Sequence, residues 1–455
     1  MSSRFMTPVR GSVLLMFALS LVMLIGFAGL VVDAGIGYGV KAKLNSAVDA
    51  ASIAAARAVA TGATDDLRTQ AAIKEGTRFY YANFPANYLG ATIQPPTVTA
   101  EKVGGKWFVT VAGTASTPTY LMRVFGVRQL DVRALGQAVR RDLDMMLVLD
   151  TSGSLQSVFP QVKSSAVNFV NKFNNDADRL GLVVFADGAT LPVPINKTAA
   201  RGFNKTTIVS QINAQSSSGW TSTGEAMRLA LNDLNAVPAI LQSSLRVIVL
   251  FSDGAPNTPA AIWPRHNSSG TQTGTVSASF PSTTGSGNPL LCTNSSPCTL
   301  YRYNSRSTAL SGSYSDINRL PVTAGATFDN KPLSSFNNKR TFSPALAAAN
   351  SANLCNVNKA ARNMLENIAN DARGQKVVVF TLGLGAQLNG FESVTSCSYT
   401  QAEWGSNILK RVANASGVDT YNADQPTGTY VYAANASDLD TAFNKIASEI
   451  IRLSQ

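Results

Sequence analysis

Five oxygen-bearing residues stand out by type and spacing: Asp150, Ser152 and Ser154 in DTSGS, Thr221 in SSGWTSTGEAM, and Asp253 in FSDG. Two carboxylates and three hydroxyls form an all-oxygen set. Such a set suits a hard cation such as Mg²⁺, with Mn²⁺ or Ca²⁺ as substitutes, rather than a soft metal seeking thiolate or imidazole. Mg²⁺ demands octahedral geometry and keeps several waters, so one position stays available to an incoming ligand. An acidic side chain from a partner protein would supply the missing oxygen. Other chemistry is scarce. The chain has one histidine, His266, which removes His-rich zinc sites and two-histidine metalloprotease helices. It holds neither a G-x-x-x-x-G-K-[ST] loop nor a G-x-G-x-x-G turn opening a helix. An enzyme would have to use Ser252 or Ser154 as nucleophile with His266 as base. No spacing ties His266 to either serine, so no enzymatic activity is expected.

Asp150, Ser152, Ser154 and Asp253 fall at the ends of apolar runs, and Thr221 falls just before an expected helix. DLDMMLVLD (Asp142 to Asp150), Leu180 to Asp187, Arg246 to Gly254 and Gln375 to Gly385 read as buried parallel strands. Helices are expected between them: one with Phe159, Val162, Ala166, Phe169, Val170 and Phe173 on one face, one from Gly224 to Leu234, and one from about Ala345 to Arg373. A last helix carries Leu439, Phe443, Ile446 and Ile450, with Ser437 and Asp440 spaced like a capping box. Strands alternating with helices predict a doubly wound α/β domain, whose ligands bind beyond the carboxyl ends of the strands.

DTSGS, GWTSTGEAM and FSDG, in that order, resemble the metal-ion-dependent adhesion site of von Willebrand factor A (vWA) domains. The resemblance implies a Rossmann-like fold with Asp150, Ser152, Ser154 and Thr221 as direct ligands and Asp253 acting largely through water. Leu155 stands where many bacterial members have Met, with no bearing on the metal.

The N-terminal stretch Val13 to Val32 runs twenty residues without a charge, enough for a helix of roughly 30 Å, the thickness of a bilayer core. Arg4 and Arg10 precede it and Asp33 follows, so the N-terminus is expected in the cytoplasm and the remainder outside it. Gly35, Gly37 and Gly39 in DAGIGYG each cost a helix about 1 kcal/mol and are expected to form a hinge. Leu44, Val48, Ala51, Ala55 and Ala58 then form a small-residue seam, suited to close packing within this chain or between chains. The start with Arg10-Gly11, the single anchor, VVDAG and KLNSAVDAASIAAA resemble TadG-like proteins of Flp (tight adherence) pilus assembly. Met16 occupies the place where pilin leaders have an acidic residue, so a permanent anchor is expected instead of prepilin-type cleavage.

The remaining features set the organisation. At 455 residues two or three domains are expected. We read residues 1–12 as a cytoplasmic N-terminus, 13–32 as the transmembrane helix, 33–64 as an Ala-rich extension, 65–140 as a small α+β spacer and 141–455 as the vWA domain. Within the spacer, Asp65 to Phe84 reads as a helix, Thr97 to Val103 and Lys106 to Ala115 as a hairpin around Gly104-Gly105, and Gln129 to Val139 as a further strand. Residues 255–344 are a polar insertion with two acidic residues, Asp316 and Asp329, against seven basic ones. Trp263, Arg265 and His266 at its start form a candidate recognition cluster. The net charge is +11, yet charged residues are only 14% of the chain, well under the roughly 25% of average proteins. No Lys/Arg block is interleaved with aromatics, so no nucleic acid partner is expected.

Four cysteines in an exported chain read as two disulfides. Of three connectivities, proximity favours Cys292–Cys298 and Cys355–Cys397, worth roughly 2 and roughly 4 kcal/mol by loop closure. Mass spectrometry of non-reduced peptides should find these two linkages; four free thiols in protein taken from cells would overturn both the pairing and the compartment. Together these features predict a single-pass inner-membrane protein, with its bulk periplasmic or surface-exposed, serving Flp pilus assembly and adhesion through a Mg²⁺-dependent site. The alternatives are a metal-dependent surface adhesin and a metal-independent scaffold.

Overall fold

The computed structural model describes residues 10–59, 64–103, 106–264, 271–275, 327–328, 330–335, 340, 352–390 and 400–454. The chain divides into two compact units, Met1–Arg140 and Arg141–Gln455.

The first unit opens with a 49-residue helix, α1 (Arg10–Ala58). It is the one helix among the described residues long and apolar enough to cross a membrane. It runs unbroken through Gly35, Gly37 and Gly39, so the expected hinge does not form. The helix penalty of two of these glycines is set against close packing: a Cβ on Gly37 would lie 3.4 Å from Leu130, and one on Gly39 would lie 3.1 Å from Leu89. Helix α2 (Asp65–Asn83) starts at Thr64, whose hydroxyl caps the Leu67 N–H at 3.3 Å, with Asp65 and Asp66 favourably placed in its first turn. A four-stranded antiparallel sheet completes the unit, with β1 (Thr92–Ile93), β2 (Thr97–Val103), β3 (Lys106–Pro118) and β4 (Gln129–Arg141). Strand β3 pairs with all three others and alternates strictly, burying Trp107, Val109, Val111 and Ala115.

The alanine seam packs inside this chain. Leu44, Val48, Ala51, Ala55 and Ala58 are all buried, the first four in a core shared with Ala72 and Tyr80 of α2 and the inward face of β3. Small residues are needed on both sides: a Cβ on Gly76 would lie 3.1 Å from Ala55, and one on Gly136 would lie 2.7 Å from the Val48 carbonyl oxygen.

The second unit is built on a six-stranded sheet. Its strands are β5 (Leu143–Asp150), β6 (Arg179–Phe185), β7 (Ala189–Val193), β8 (Leu245–Ser252) and, after the insertion, Val377–Leu384 and Tyr430–Ala433. Helices α3 (Phe159–Val170), α4 (Lys205–Asn213) and α5 (Thr223–Asn235) connect the first strands. In the insertion, β9 (Ala260–Pro264), β10 (Thr271–Thr275), β11 (Thr327–Phe328) and β12 (Lys331–Pro332) form a small sheet of their own. The chain continues with α6 (Ala352–Gly374), β13 (Val377–Leu384), α7 (Gly405–Val412), β14 (Tyr430–Ala433) and α8 (Leu439–Ser454). The main sheet has the order β14-β13-β8-β5-β6-β7, parallel except for the edge strand β7. It is covered on both faces, as parallel sheets require. Met146 and Val148 of β5 face one core with α5 and α6, while Met145, Leu147 and Leu149 face the other with α3 and α8. The doubly wound α/β class is therefore the observed one.

Two local expectations change. The C-terminal helix is preceded by a 3-10 turn, and Asn435, not Ser437, supplies the capping oxygen, accepting the Ser437 N–H at 3.1 Å. Asp440 instead faces Asn168 of α3 at 3.3 Å. The described parts of the insertion are folded onto the domain: Ala260, Ala261, Phe328 and Leu333 are buried in the α5–α6 core. Arg340 near its end is clamped between Glu366 (2.7 Å) and Glu403 (2.6 Å). Composition misses this because the anchoring contacts are few and far apart along a polar stretch.

Candidate metal centre

Strands β5 and β8 lie side by side and parallel, with Leu149 opposite Phe251, so their carboxyl ends deliver Asp150 and Ser252 to one place. The chain goes from β5 to β6 on one side and returns to β8 on the other. That reversal opens the crevice in which open α/β sheets bind ligands.

Asp150 is fully buried. One carboxylate oxygen accepts the Ser152 N–H at 2.8 Å and the other accepts the Ser252 hydroxyl at 2.6 Å. The Ser152 and Ser154 hydroxyls are 3.2 Å apart, and Ser154 donates to Asp253 Oδ1 at 2.8 Å. Thr221, just ahead of α5, is fixed by its N–H to Asn257 Oδ1 at 2.9 Å. Its hydroxyl lies 3.9 Å from where a Cβ on Gly254 would stand, beside the Asp253 turn. All five predicted residues are thus brought together.

The loops that carry them are locked to one another. Thr151 donates its N–H to the Phe185 carbonyl at 2.8 Å, Gly153 to the Gly219 carbonyl at 2.9 Å, and Ser218 to the Thr151 carbonyl at 2.9 Å. Gly219 has φ +87°, and a Cβ there would sit 2.3 Å from Asp187 Oδ2, so only glycine fits this close approach. The Asp187 carboxylate in turn accepts the Trp220 N–H at 3.1 Å.

Burial pushes both the Asp150 and the Asp253 carboxyl above the ordinary carboxylate range, and the neighbouring Asp150 charge raises Asp253 further. Hydroxyl and backbone hydrogen bonds only partly oppose this. The donor set fits a hard cation: two carboxylates whose charged forms burial disfavours, and three hydroxyls. Among the described residues no group of three or more His, Cys, Asp and Glu forms a rival site.

Sequence reasoning singled out Ser252 only as a nucleophile, and its hydroxyl is committed to Asp150. Asn257 and Asp187 were not legible as parts of the site, because each acts by holding a neighbouring loop. His266, Arg265, Cys292, Cys298 and Cys397 lie outside the described residues, as do the side chains of Trp263 and Cys355. The proposed recognition cluster and both disulfides therefore fall there.

Residues 144–284 match the family model of the von Willebrand factor type A domain, and residues 11–58 match that of putative Flp pilus-assembly TadE/G-like proteins. The chain thus carries a vWA domain behind a Tad-type N-terminal segment. Similar solved structures include the vWF domain of the type V pili tip protein Mfa5 from Porphyromonas gingivalis, at 19% identity and TM-score 0.38, covering 70% of this chain and 98% of that one. The pilus adhesin SpaC from Lactobacillus rhamnosus GG is 15% identical with TM-score 0.39, covering 80% of this chain and 34% of its own. The PilB minor pilin from Streptococcus sanguinis is 14% identical with TM-score 0.37, covering 81% and 80%. No curated protein sequence matches the chain.

Proposed function

We propose that this protein is an envelope component of Flp/Tad pilus assembly and adhesion, held in the inner membrane by α1 with its N-terminus in the cytoplasm. Its vWA domain binds protein partners through Mg²⁺ held by Asp150, Ser152, Ser154 and Thr221, with Asp253 acting through water. The partner, a pilus-assembly component, offers a carboxylate to the position left free on the cation. The observation that carries this reading is the convergence of the five oxygen-bearing side chains on the carboxyl ends of β5 and β8, in a chain that also carries a Tad-type segment. Fixed loops place the donors, the two carboxylates supply the charge, and the bound cation supplies an electrophilic point of attachment. No bond-breaking step is assigned to the site.

The competing scaffold reading places function in the anchor and the first unit alone. Replacing Asp253 with Ala separates the two. Asp253 directly follows β8 and, though buried, belongs to neither hydrophobic core of the domain, so the variant should be folded, membrane-bound and abundant. Under the metal-dependent reading, pilus formation or surface attachment should be lost. Normal piliation at unchanged protein level would leave the scaffold reading standing. Whether the protein acts from the periplasm or at the surface as an adhesin is answered by surface labelling of the same strain.

A further inference from the structure

The segment 119–128 joins β3 to β4 and reads TYLMRVFGVR. It turns apolar side chains outward: Val124 is 80% exposed and Phe125 65%, with Tyr120, Leu121 and Val127 also exposed. The loop is nonetheless firmly held. The buried Asp33 carboxylate of α1 accepts the N–H groups of Tyr120 at 2.9 Å, Leu121 at 3.0 Å and Met122 at 2.6 Å. At its base Thr119 donates its N–H to the Arg128 carbonyl at 3.1 Å.

The loop is laid against the apolar part of α1. A Cβ on Gly29 would collide with Leu121 at 2.5 Å, and one on Gly26 would lie 3.1 Å from the Phe125 ring. Gly26 precedes Asp33 by two helical turns, so Phe125 sits about 10 Å along the helix into the charge-free stretch. Ile25, Phe27 and Leu30 are exposed on the helix at the same level, so the apolar surfaces of loop and helix are continuous. Arg123 and Arg128, both exposed, bracket the apolar tip.

We propose that loop 119–128 is a second membrane contact, whose Val124 and Phe125 insert among the upper acyl chains of the bilayer that α1 crosses. Arg123 and Arg128 meet the anionic headgroups. The occupant follows from continuity: the loop shares its depth and its exposed apolar surface with the stretch of α1 assigned to lipid. An insertion of about 5–10 Å is the ordinary depth for interfacial elements. Asp33 has a definite part in this. It ties the loop to α1 just above the charge-free stretch, so that anchor and loop enter as one wedge and set the rotation of the helix in the membrane. The proposal rests on the reading of α1 as a membrane anchor.

The test uses the full chain reconstituted into phosphatidylcholine–phosphatidylglycerol bilayers. Phe125→Trp and, separately, Val124→Trp are compared with the wild type, and the emission added by the new indole is read. Lipids brominated high on the acyl chain should remove most of that added emission, and aqueous acrylamide should leave it intact. Added emission quenched by acrylamide but not by brominated lipid would place the loop in water and overturn the proposal. Protection from both quenchers would show a protein partner over the loop and overturn it equally. A chain that fails to float with the vesicles would overturn the anchor reading itself, a failure distinct from that of the loop alone.

Discussion

Replacing Asp150 with Asn should abolish divalent-cation binding and at the same time make the metal-free protein more stable at neutral pH. The charge is the reason for both effects. Asp150 and Asp253 are buried together, and hydroxyl and backbone hydrogen bonds offset the burial of their charges only in part, so both titrate above the ordinary value of 3.8. The folded protein then holds protons that the unfolded chain has released. Stability without metal therefore declines as pH rises from the ordinary carboxylate range through the raised values, and it is greatest below that window. Bound Mg²⁺ should reverse the penalty, and at a hundredfold excess over its dissociation constant should contribute about 2.7 kcal/mol. Cation binding should weaken on acidification at pH values where an exposed carboxylate would still be fully ionised.

Asparagine suits this position because its shape is unchanged. Its oxygen can accept the Ser152 N–H, while its amide can donate to Ser252, whose hydroxyl can turn to the Gly254 carbonyl now 3.1 Å away. Calorimetry should show one divalent ion per wild-type chain and none for Asp150→Asn. Thermal unfolding at neutral pH without metal should place the variant above the wild type, with its Mg²⁺-dependent shift gone. Equal Mg²⁺ shifts in the two proteins would sink the site assignment.

The largest effect on stability is expected in the other unit, from Ala51→Glu. Ala51 has no exposed surface and lies in the core formed with α2 and β3. A carboxylate there brings a desolvation cost of several kcal/mol, and the added side-chain volume costs about 1–3 kcal/mol more. That is comparable to the whole stability of a small domain. Residues 40–140 should become protease-sensitive in the membrane-inserted protein. Ile53, two residues on and 49% exposed, provides the control: Ile53→Glu should leave the fragment resistant. Mg²⁺ binding should survive Ala51→Glu, because every residue of the metal centre belongs to the second unit. A protease-resistant Ala51→Glu protein would mean that the seam is not a core of this chain.

How much was legible in the sequence varies with the range of the interaction. The long apolar stretch of α1 and the buried strands are runs of apolar residues, and their cost in water is local to the run, so length and composition determined them. Four of the five candidate ligands were equally readable, because DTSGS and FSDG each terminate such a run and strand ends in a parallel sheet share one edge, while Thr221 was readable from its place just ahead of a helix. Composition also shows why few other chemistries compete, with one histidine in 455 residues. Tertiary structure decided everything that depends on what faces what. The glycines of DAGIGYG read as a hinge by helix propensity, yet packing against Leu89 and Leu130 keeps the helix whole. A seam of alanines is the same string whether it meets α2 or another molecule, and only the folded chain shows it covered from within. Ser252 and Asn257 enter the site by orienting Asp150 and Thr221 across about a hundred and about forty residues of sequence, a separation at which spacing carries no signal. Asp33, read as the charge that ends an apolar run, turns out to hold a loop nearly ninety residues away, because a buried carboxylate must find donors and the nearest backbone N–H groups were on that loop.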